Sequence, residues 1–194
     1  MAKTKINLPE ITNKQKSGTE KFLLNGSEQE FSLIDFWSWN QSNLIENRTR
    51  GILAEYIVKQ ALGSKKNLRI EWDDYDLITA TGIKIEIKSA AYIQAWKQAK
   101  YSTISFDISV NKRGGFERKS DCYIFCLLDC KNQDEINPLN LEQWTFFVVE
   151  TSAINNILQT QGNITLGALK KKLPHIECKY HELQEVIKTV VKKG

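Results

Sequence analysis

No run of apolar residues in this chain approaches the roughly 20 needed to cross a bilayer. The longest, Tyr123 to Leu128 and Phe146 to Val149, have the length of strands. Residues 1–15, MAKTKINLPEITNKQ, are polar and lack the apolar stretch of a secretory signal. A membrane protein is therefore not expected, and the cytoplasm is the expected compartment. Histidine is scarce: there are two, His175 and His181, with no carboxylate–histidine arrangement around them, and they receive no role. The chain has no P-loop, no Rossmann glycine pattern and no nucleophile elbow, which removes those routes to nucleotide binding and acyl transfer. No internal repeat or low-complexity tract occurs.

Cysteine is present but badly spaced for a cluster. Cys122, Cys126 and Cys130 recur every fourth residue, and Cys178 stands apart. The segment CYIFCLL reads as a buried strand, along which four residues span roughly 13 Å. Sulfurs that far apart cannot share one zinc ion, whose bonds to sulfur are about 2.3 Å. Small buried thiols in a reducing compartment are the expected reading.

What remains is an ordinary globular composition: 194 residues, 41% hydrophobic and 26% charged, with a formal net charge of +4. The pI of about 8.8 is mildly basic. This is compatible with a nucleic-acid partner without demanding one. The length fits one domain. Residues 1–30 read as a largely irregular arm. Residues 31–194 read as a single domain, with a core over about 46–150 and C-terminal helices over 151–194.

The pattern along the chain gives the elements. FSLIDFWSW (31–39) predicts a helix with Ser32 as N-cap and two tryptophans that dock it on the core. Leu53, Ala54, Ile57, Val58, Ala61 and Leu62 follow helical spacing from about Glu46, and Gly63 supplies the stop. Strands are expected at 68–79 and 83–89, a helix at 92–100, and further strands at 102–109, 122–129 and 144–150. A helix at 151–159, capped by Thr151 or Ser152, and a helical basic tail follow. Helices followed by strands with interspersed helices argue for an α/β or α+β layered domain around a mixed sheet.

The chemistry concentrates in the first hairpin. Ile83, Ile85 and Ile87 point to one face of their strand, and Lys84, Glu86 and Lys88 to the other. A three-residue loop, Ala80 to Gly82, with Gly82 in the left-handed position of a bulged turn, pairs Thr79 with Ile83 and Ile78 with Lys84. That register sets Asp76 across from Glu86, with Cβ atoms about 4.5–5.5 Å apart. A loop one residue shorter or longer would break it. Adjacent like charges destabilise a sheet unless a cation lies between them, and a hard divalent ion takes one or two carboxylates plus waters and phosphate. Lys88 shares the face. Glu55 sits at the edge of the helix's apolar stripe, where a carboxylate either reaches the sheet surface or is simply solvated.

RGILAEYIVKQALG followed by EWDDYDLITATGIKIEIKSA resembles the nuclease core of the PD-(D/E)xK superfamily, which includes restriction endonucleases and archaeal Holliday-junction resolvases. It is also similar to a group of uncharacterised bacterial proteins with EWDxYDL and ExKS motifs. The likeness covers roughly residues 50–90. Glu55 matches the helix glutamate, Asp76 the hairpin aspartate, and Glu86-Ile87-Lys88 the E-x-K element. Tyr75 stands where the proline of the literal motif would be. Gln94 is followed at the Q-x-x-x-Y spacing by Gln98, so only the glutamine matches.

The resemblance implies a restriction-endonuclease-like mixed sheet flanked by helices and hydrolysis of phosphodiester bonds, of DNA in the first instance. It implies Mg²⁺ or Mn²⁺ held by Asp76, Glu86 and the backbone carbonyl of Ile87, with Lys88 acting on water and phosphate and Glu55 assisting the metal. If the strand is bulged, Asp73 or Asp74 replaces Asp76. Gln94 and Lys97 after the site, and Lys112 and Arg113 in the glycine-containing loop NKRGGFERK, are candidates for nucleic-acid contact; solvated surface is the alternative for each. Symmetric half-sites would call for a homodimer. Two readings compete: a catalytically inactive nucleic-acid-binding module keeping the fold, and an interaction protein in which Glu86 and Lys88 form only a surface pair.

Overall fold

The computed structural model describes residues 8–9, 11, 13–63, 69, 74–110 and 118–191. The chain divides into two compact units, Met1–Asn40 and Gln41–Gly194. All but the last residue of the first helix falls in the first of these units.

The N-terminal unit corrects the expectation of an irregular arm. Strands β1 (Lys21–Leu24) and β2 (Ser27–Ser32) form an antiparallel hairpin with Leu24 opposite Ser27. Its two-residue turn is Asn25-Gly26, both at positive φ (51° and 79°), the combination that matches the twist of paired strands. Helix α1 (Leu33–Gln41) follows directly. The carboxylate of Asp35 accepts both the backbone N–H and the hydroxyl of Ser32, each at 2.7 Å; the Ser32 hydroxyl thus donates to Asp35 instead of accepting a helix N–H, and the side-chain cap comes from Asp35. The tryptophans do not both dock: Trp37 lies over Gly18, while Trp39 is 82% exposed.

The second unit is a mixed α+β layer structure. A five-stranded sheet runs β3 (Leu77–Ile78), β4 (Lys84–Ala91), β6 (Cys122–Leu128), β7 (Trp144–Glu150), β9 (Ile176–Cys178), with β4 and β6 parallel and all other neighbours antiparallel. Strands β6 and β7 are buried on both faces, which is why their sequences are continuous apolar runs. One face carries Ile85, Ile87, Ile124 and Phe146 against α2 (Asn47–Ala61) and α5 (Leu183–Val191). The other carries Tyr123, Phe125 and Phe147 against α3 (Thr151–Leu158), α4 (Leu166–Lys172) and a ribbon of β5 (Ser105–Asp107) with β8 (Asn163–Thr165). The expected fold class is thus observed. Among the described residues no helix is long and apolar enough to cross a membrane.

Helix α2 starts where the Glu46 carboxylate accepts the N–H groups of Arg48 and Thr49, and ends at Gly63 with φ +59°. Five expectations change. The strand expected at 68–79 is a strand only at Leu77–Ile78; much of its first half lies outside the described residues. No helix forms at 92–100. There the Gln98 side chain accepts from the Gln94 N–H at 2.7 Å and donates to the carbonyls of Tyr92 and Lys100, taking backbone groups a helix would need. The strand at 102–109 shrinks to Ser105–Asp107. Neither Thr151 nor Ser152 caps α3: the cap position is Glu150, without a side-chain bond. The C-terminal region is not purely helical, because β9 joins the main sheet beside β7. All four cysteines are free, three of them buried.

Candidate active site

The β3–β4 hairpin has the register that its loop predicts. Leu77 pairs with Ile85 and Ile78 with Lys84. The Thr79 N–H donates to Ile83 O at 2.9 Å, the Gly82 N–H donates to Thr79 O at 3.0 Å, and Gly82 has φ +89°. With Leu77, Ile85 and Ile87 committed to the core, alternation sends Glu86 and Lys88 to the opposite face, where their neighbours in β6 are Tyr123 and Phe125.

Asp76 stands one residue before β3, at the position across from Glu86. The ladder changes there. The Asp76 N–H donates to Ile85 O at 3.0 Å, and Asp76 Oδ2 accepts the N–H of Ile87 at 2.6 Å. A carboxylate has taken the place of a backbone carbonyl. Burial, and next the Glu86 charge, push the Asp76 carboxyl up to about 7, with a further upward contribution from Glu55; the Ile87 N–H and Lys88 pull the other way. Asp76 therefore feels the charge of two other carboxylates here.

Lys88 Nζ contacts Glu86 Oε1 at 2.5 Å. Burial lowers the ammonium's pKa, but the charge of Glu86, their hydrogen bond and the charge of Asp76 outweigh it and hold the group above the ordinary lysine value. The Tyr123 hydroxyl, buried and next to Glu86, is pushed up to about 12 and stays a neutral donor. Glu55, from α2, is held by Arg69 in a two-pronged pair, Nε to Oε2 at 2.5 Å and Nη2 to Oε1 at 2.9 Å.

The structure thus brings Asp76, Glu86, Lys88 and Glu55 into one electrostatic neighbourhood, with Ile87 supplying backbone between Glu86 and Lys88. Asp74, the alternative to Asp76, is instead exposed and paired with Lys119 at 2.7 Å; Asp73 lies outside the described residues. Gln94 is half-buried, and its amide bonds to Arg50, Ala91 O and Ser102. Lys97 is exposed, and Lys112 and Arg113 lie outside the described residues. Arg50 escaped sequence reasoning. It shares the α2 stripe with Ala54, Ile57 and Val58 and is 4% exposed. A cation at an apolar position of a helix was the available signal.

Among the described residues no three His, Cys, Asp or Glu side chains gather closely enough to enclose an ion as they stand. The donor chemistry nonetheless fits a hard divalent cation. Asp76 and Glu86 occupy facing positions of a hairpin, the Asp76 carboxyl is raised by burial and next by the Glu86 charge, and a cation between two such groups relieves both effects. The buried thiols do not compete: burial pushes Cys122 and Cys178 up to about 12.

A family model described as bacteriophage T4 endonuclease IV matches residues 3–163. No curated protein matches the chain.

Proposed function

The chain belongs to the bacteriophage T4 endonuclease IV family, and on that premise we propose that it is a nuclease hydrolysing phosphodiester bonds of DNA with Mg²⁺ or Mn²⁺, built on a PD-(D/E)xK-type site. The observation that carries this reading is the Asp76–Glu86 pairing across the hairpin with Lys88 at Glu86. Asp76, Glu86 and the Ile87 carbonyl would hold the ion. When bound, it supplies a nucleophile at neutral pH and positive charge on the phosphate.

The chain's own groups do the rest. Asp76, with a carboxyl near 7, releases its proton readily in the neutral range when positive charge arrives. Lys88 keeps its proton and offers three N–H donors to an oxygen that gains charge in the transition state. Glu86, now paired with Lys88, would be released to hold the ion when Lys88 turns to that oxygen. Tyr123, kept neutral, borders Glu86 on β6. Glu55 lends negative charge from α2.

A second reading is favoured by the ion pairs themselves. Glu86 is satisfied by Lys88 and Glu55 by Arg69, as a non-catalytic nucleic-acid-binding module would keep them. Cleavage assays on DNA and RNA with Mg²⁺ or Mn²⁺ separate the two. The nuclease cuts as wild type and loses cutting in Asp76→Ala and Lys88→Ala. Equal residual activity in all three proteins would mean that a contaminant does the cutting, leaving the binding module as the better reading.

A further inference from the structure

Beyond the carboxylates, β4 and α2 enclose a second feature. A cavity of about 300 Å³ is lined by Asn47, Arg50, Ser89, Gln94, Thr103 and Ser105, with Trp96 at its edge. Arg50 is 4% exposed, and among the described residues its guanidinium has no carboxylate in ion-pair contact. Nε donates to Ser89 Oγ at 3.1 Å, Nη1 to Ile45 O at 3.0 Å and to Gln94 Oε1 at 3.3 Å, and Nη2 to Asn47 Oδ1 at 2.8 Å. These four bonds go to neutral acceptors, and a guanidinium carries five N–H donors. Glu46 attracts the Arg50 charge without an ion-pair contact, and its Oε2 accepts the N–H groups of Arg48 and Thr49 at the helix N-terminus.

Arg118 makes the contrast. It is equally buried and bonds to Ile108 O, Asn155, Gln159 O and Gln161 O, which ties loops together. It is not among the residues that line this cavity. Arg50 combines a buried positive charge, which burial disfavours and the attraction of Glu46 offsets only in part, with an opening rimmed by hydroxyl and amide groups. Burying such a charge is costly unless an anion balances it.

The cavity's place identifies the anion. Ser89 directly follows Lys88 in β4. Arg50 precedes Glu55 by five residues on α2, about 7.5 Å along the helix. Two nucleotides of one strand rise by about 7 Å, which matches this offset along α2, so a phosphate adjacent to the one cut is the anion of suitable spacing. We propose that the Arg50 cavity is a phosphate-binding subsite for the polynucleotide, seating a phosphate next to the one cut; this rests on the nuclease reading above. Guanidinium and hydroxyl donors are the groups that recognise phosphate, and Trp96, 56% exposed at the rim, offers a face for the neighbouring base.

The test is binding of fluorescent single-stranded and duplex oligonucleotides, each with a 5′-phosphate or a 5′-hydroxyl, to the full chain in EDTA across a salt series. The variants are Arg50→Met and Thr103→Glu. The second keeps Arg50 and its anchoring bonds but puts a carboxylate into the cavity from an exposed position, so it guards against misfolding of the first. Both should bind about tenfold more weakly with a salt slope reduced by about one, and inorganic phosphate should compete with wild type more than with either variant. Loss confined to 5′-phosphorylated strands identifies a terminal phosphate; equal loss identifies an internal one.

Folded Thr103→Glu binding with wild-type affinity and slope overturns the subsite, as does failure of wild type to bind any of the oligonucleotides. If Lys88→Ala abolishes cleavage while Thr103→Glu binds normally, the subsite falls and the nuclease stands. Cavity-dependent binding without cleavage in any metal does the reverse.

Discussion

Asp76 Oδ2 accepts the amide N–H of Ile87 at 2.6 Å, so the carboxylate lies at the backbone of the E-x-K strand, between the residues on either side of Ile87. That bond favours the charged form, yet burial and the facing Glu86 outweigh it and bring the carboxyl to about 7. Burial and a like charge thus both disfavour the ionised carboxylate at this position.

The first prediction concerns pH in metal-free protein. An aspartate whose folded pKa exceeds its unfolded value of 3.8 contributes stability that is fully present below that value. The contribution is lost as pH rises through about 7. Asp76→Asn keeps an acceptor for the Ile87 N–H and removes the penalty. In urea unfolding with EDTA it should be more stable than wild type at pH 8 by about 2–4 kcal/mol, with the difference vanishing near pH 4. Equal stability at pH 8 would remove the argument for crowded carboxylates.

The second concerns metal. An ion bound only by the folded state stabilises it by about 1.4 kcal/mol at ten times its Kd. Mn²⁺ should raise the midpoint of thermal unfolding of wild type more at pH 8 than at pH 6, because protons compete for Asp76. The rise should disappear in Asp76→Ala and in Glu86→Gln. An unchanged rise in both would place the ion elsewhere.

The third concerns Lys88. Lys88→Met removes the ammonium from Glu86 without shortening the side chain much. Single-turnover cleavage should fall about 10²–10³-fold, the loss typical of one donor to a developing charge, while oligonucleotide affinity in EDTA changes little. A parallel loss of affinity would make Lys88 a binding group rather than one acting in the transition state.

How much of this was legible beforehand depends on the range of the interactions. The hairpin was readable because its determinants are local. Three isoleucines at alternate positions fix the face, and Gly82, at φ +89°, fixes the loop length, so the Asp76–Glu86 register followed. The Asn25-Gly26 turn carried an equally local signal, flanked by strands exposed on both faces, where no apolar alternation marks them. The failure at 92–100 was of another kind: Gln98 reads as a helix former, and its backbone partners are visible only in three dimensions. The three-residue strands β8 and β9 are too short to show a period and exist through their partners, β5 and β7. Arg50 carries a local signal, a cation in an apolar stripe, but the role of that cation depends on Ser89 and Gln94, which are remote in sequence.

The fourth prediction tests the turn. A Cβ at Gly82 would meet nothing within 4 Å, so Gly82→Ala carries only the cost of a left-handed backbone. Its stability should fall by about 1–2 kcal/mol, read by urea unfolding, with the cost removed again by Gly82→D-Ala in a semisynthetic chain. A neutral Gly82→Ala would mean the loop has another conformation, and the Asp76–Glu86 register would need another support.

The fifth asks how Glu55 communicates with Asp76. Glu55 is among the groups raising the Asp76 carboxyl, and Arg69 holds Glu55 in a two-pronged pair. Removing the carboxylate and removing its counter-ion should therefore move Asp76 in opposite directions. Following the Asp76 carboxyl carbon by NMR in metal-free protein, Glu55→Gln should lower the titration midpoint from about 7, and Arg69→Ala, which leaves the Glu55 charge unscreened, should raise it. A structural role for the pair alone would shift neither midpoint while still costing stability. Opposite shifts would mean that α2 sets the pH at which the hairpin carboxylates accept a cation, and Glu55→Gln would then extend metal-induced stabilisation to lower pH.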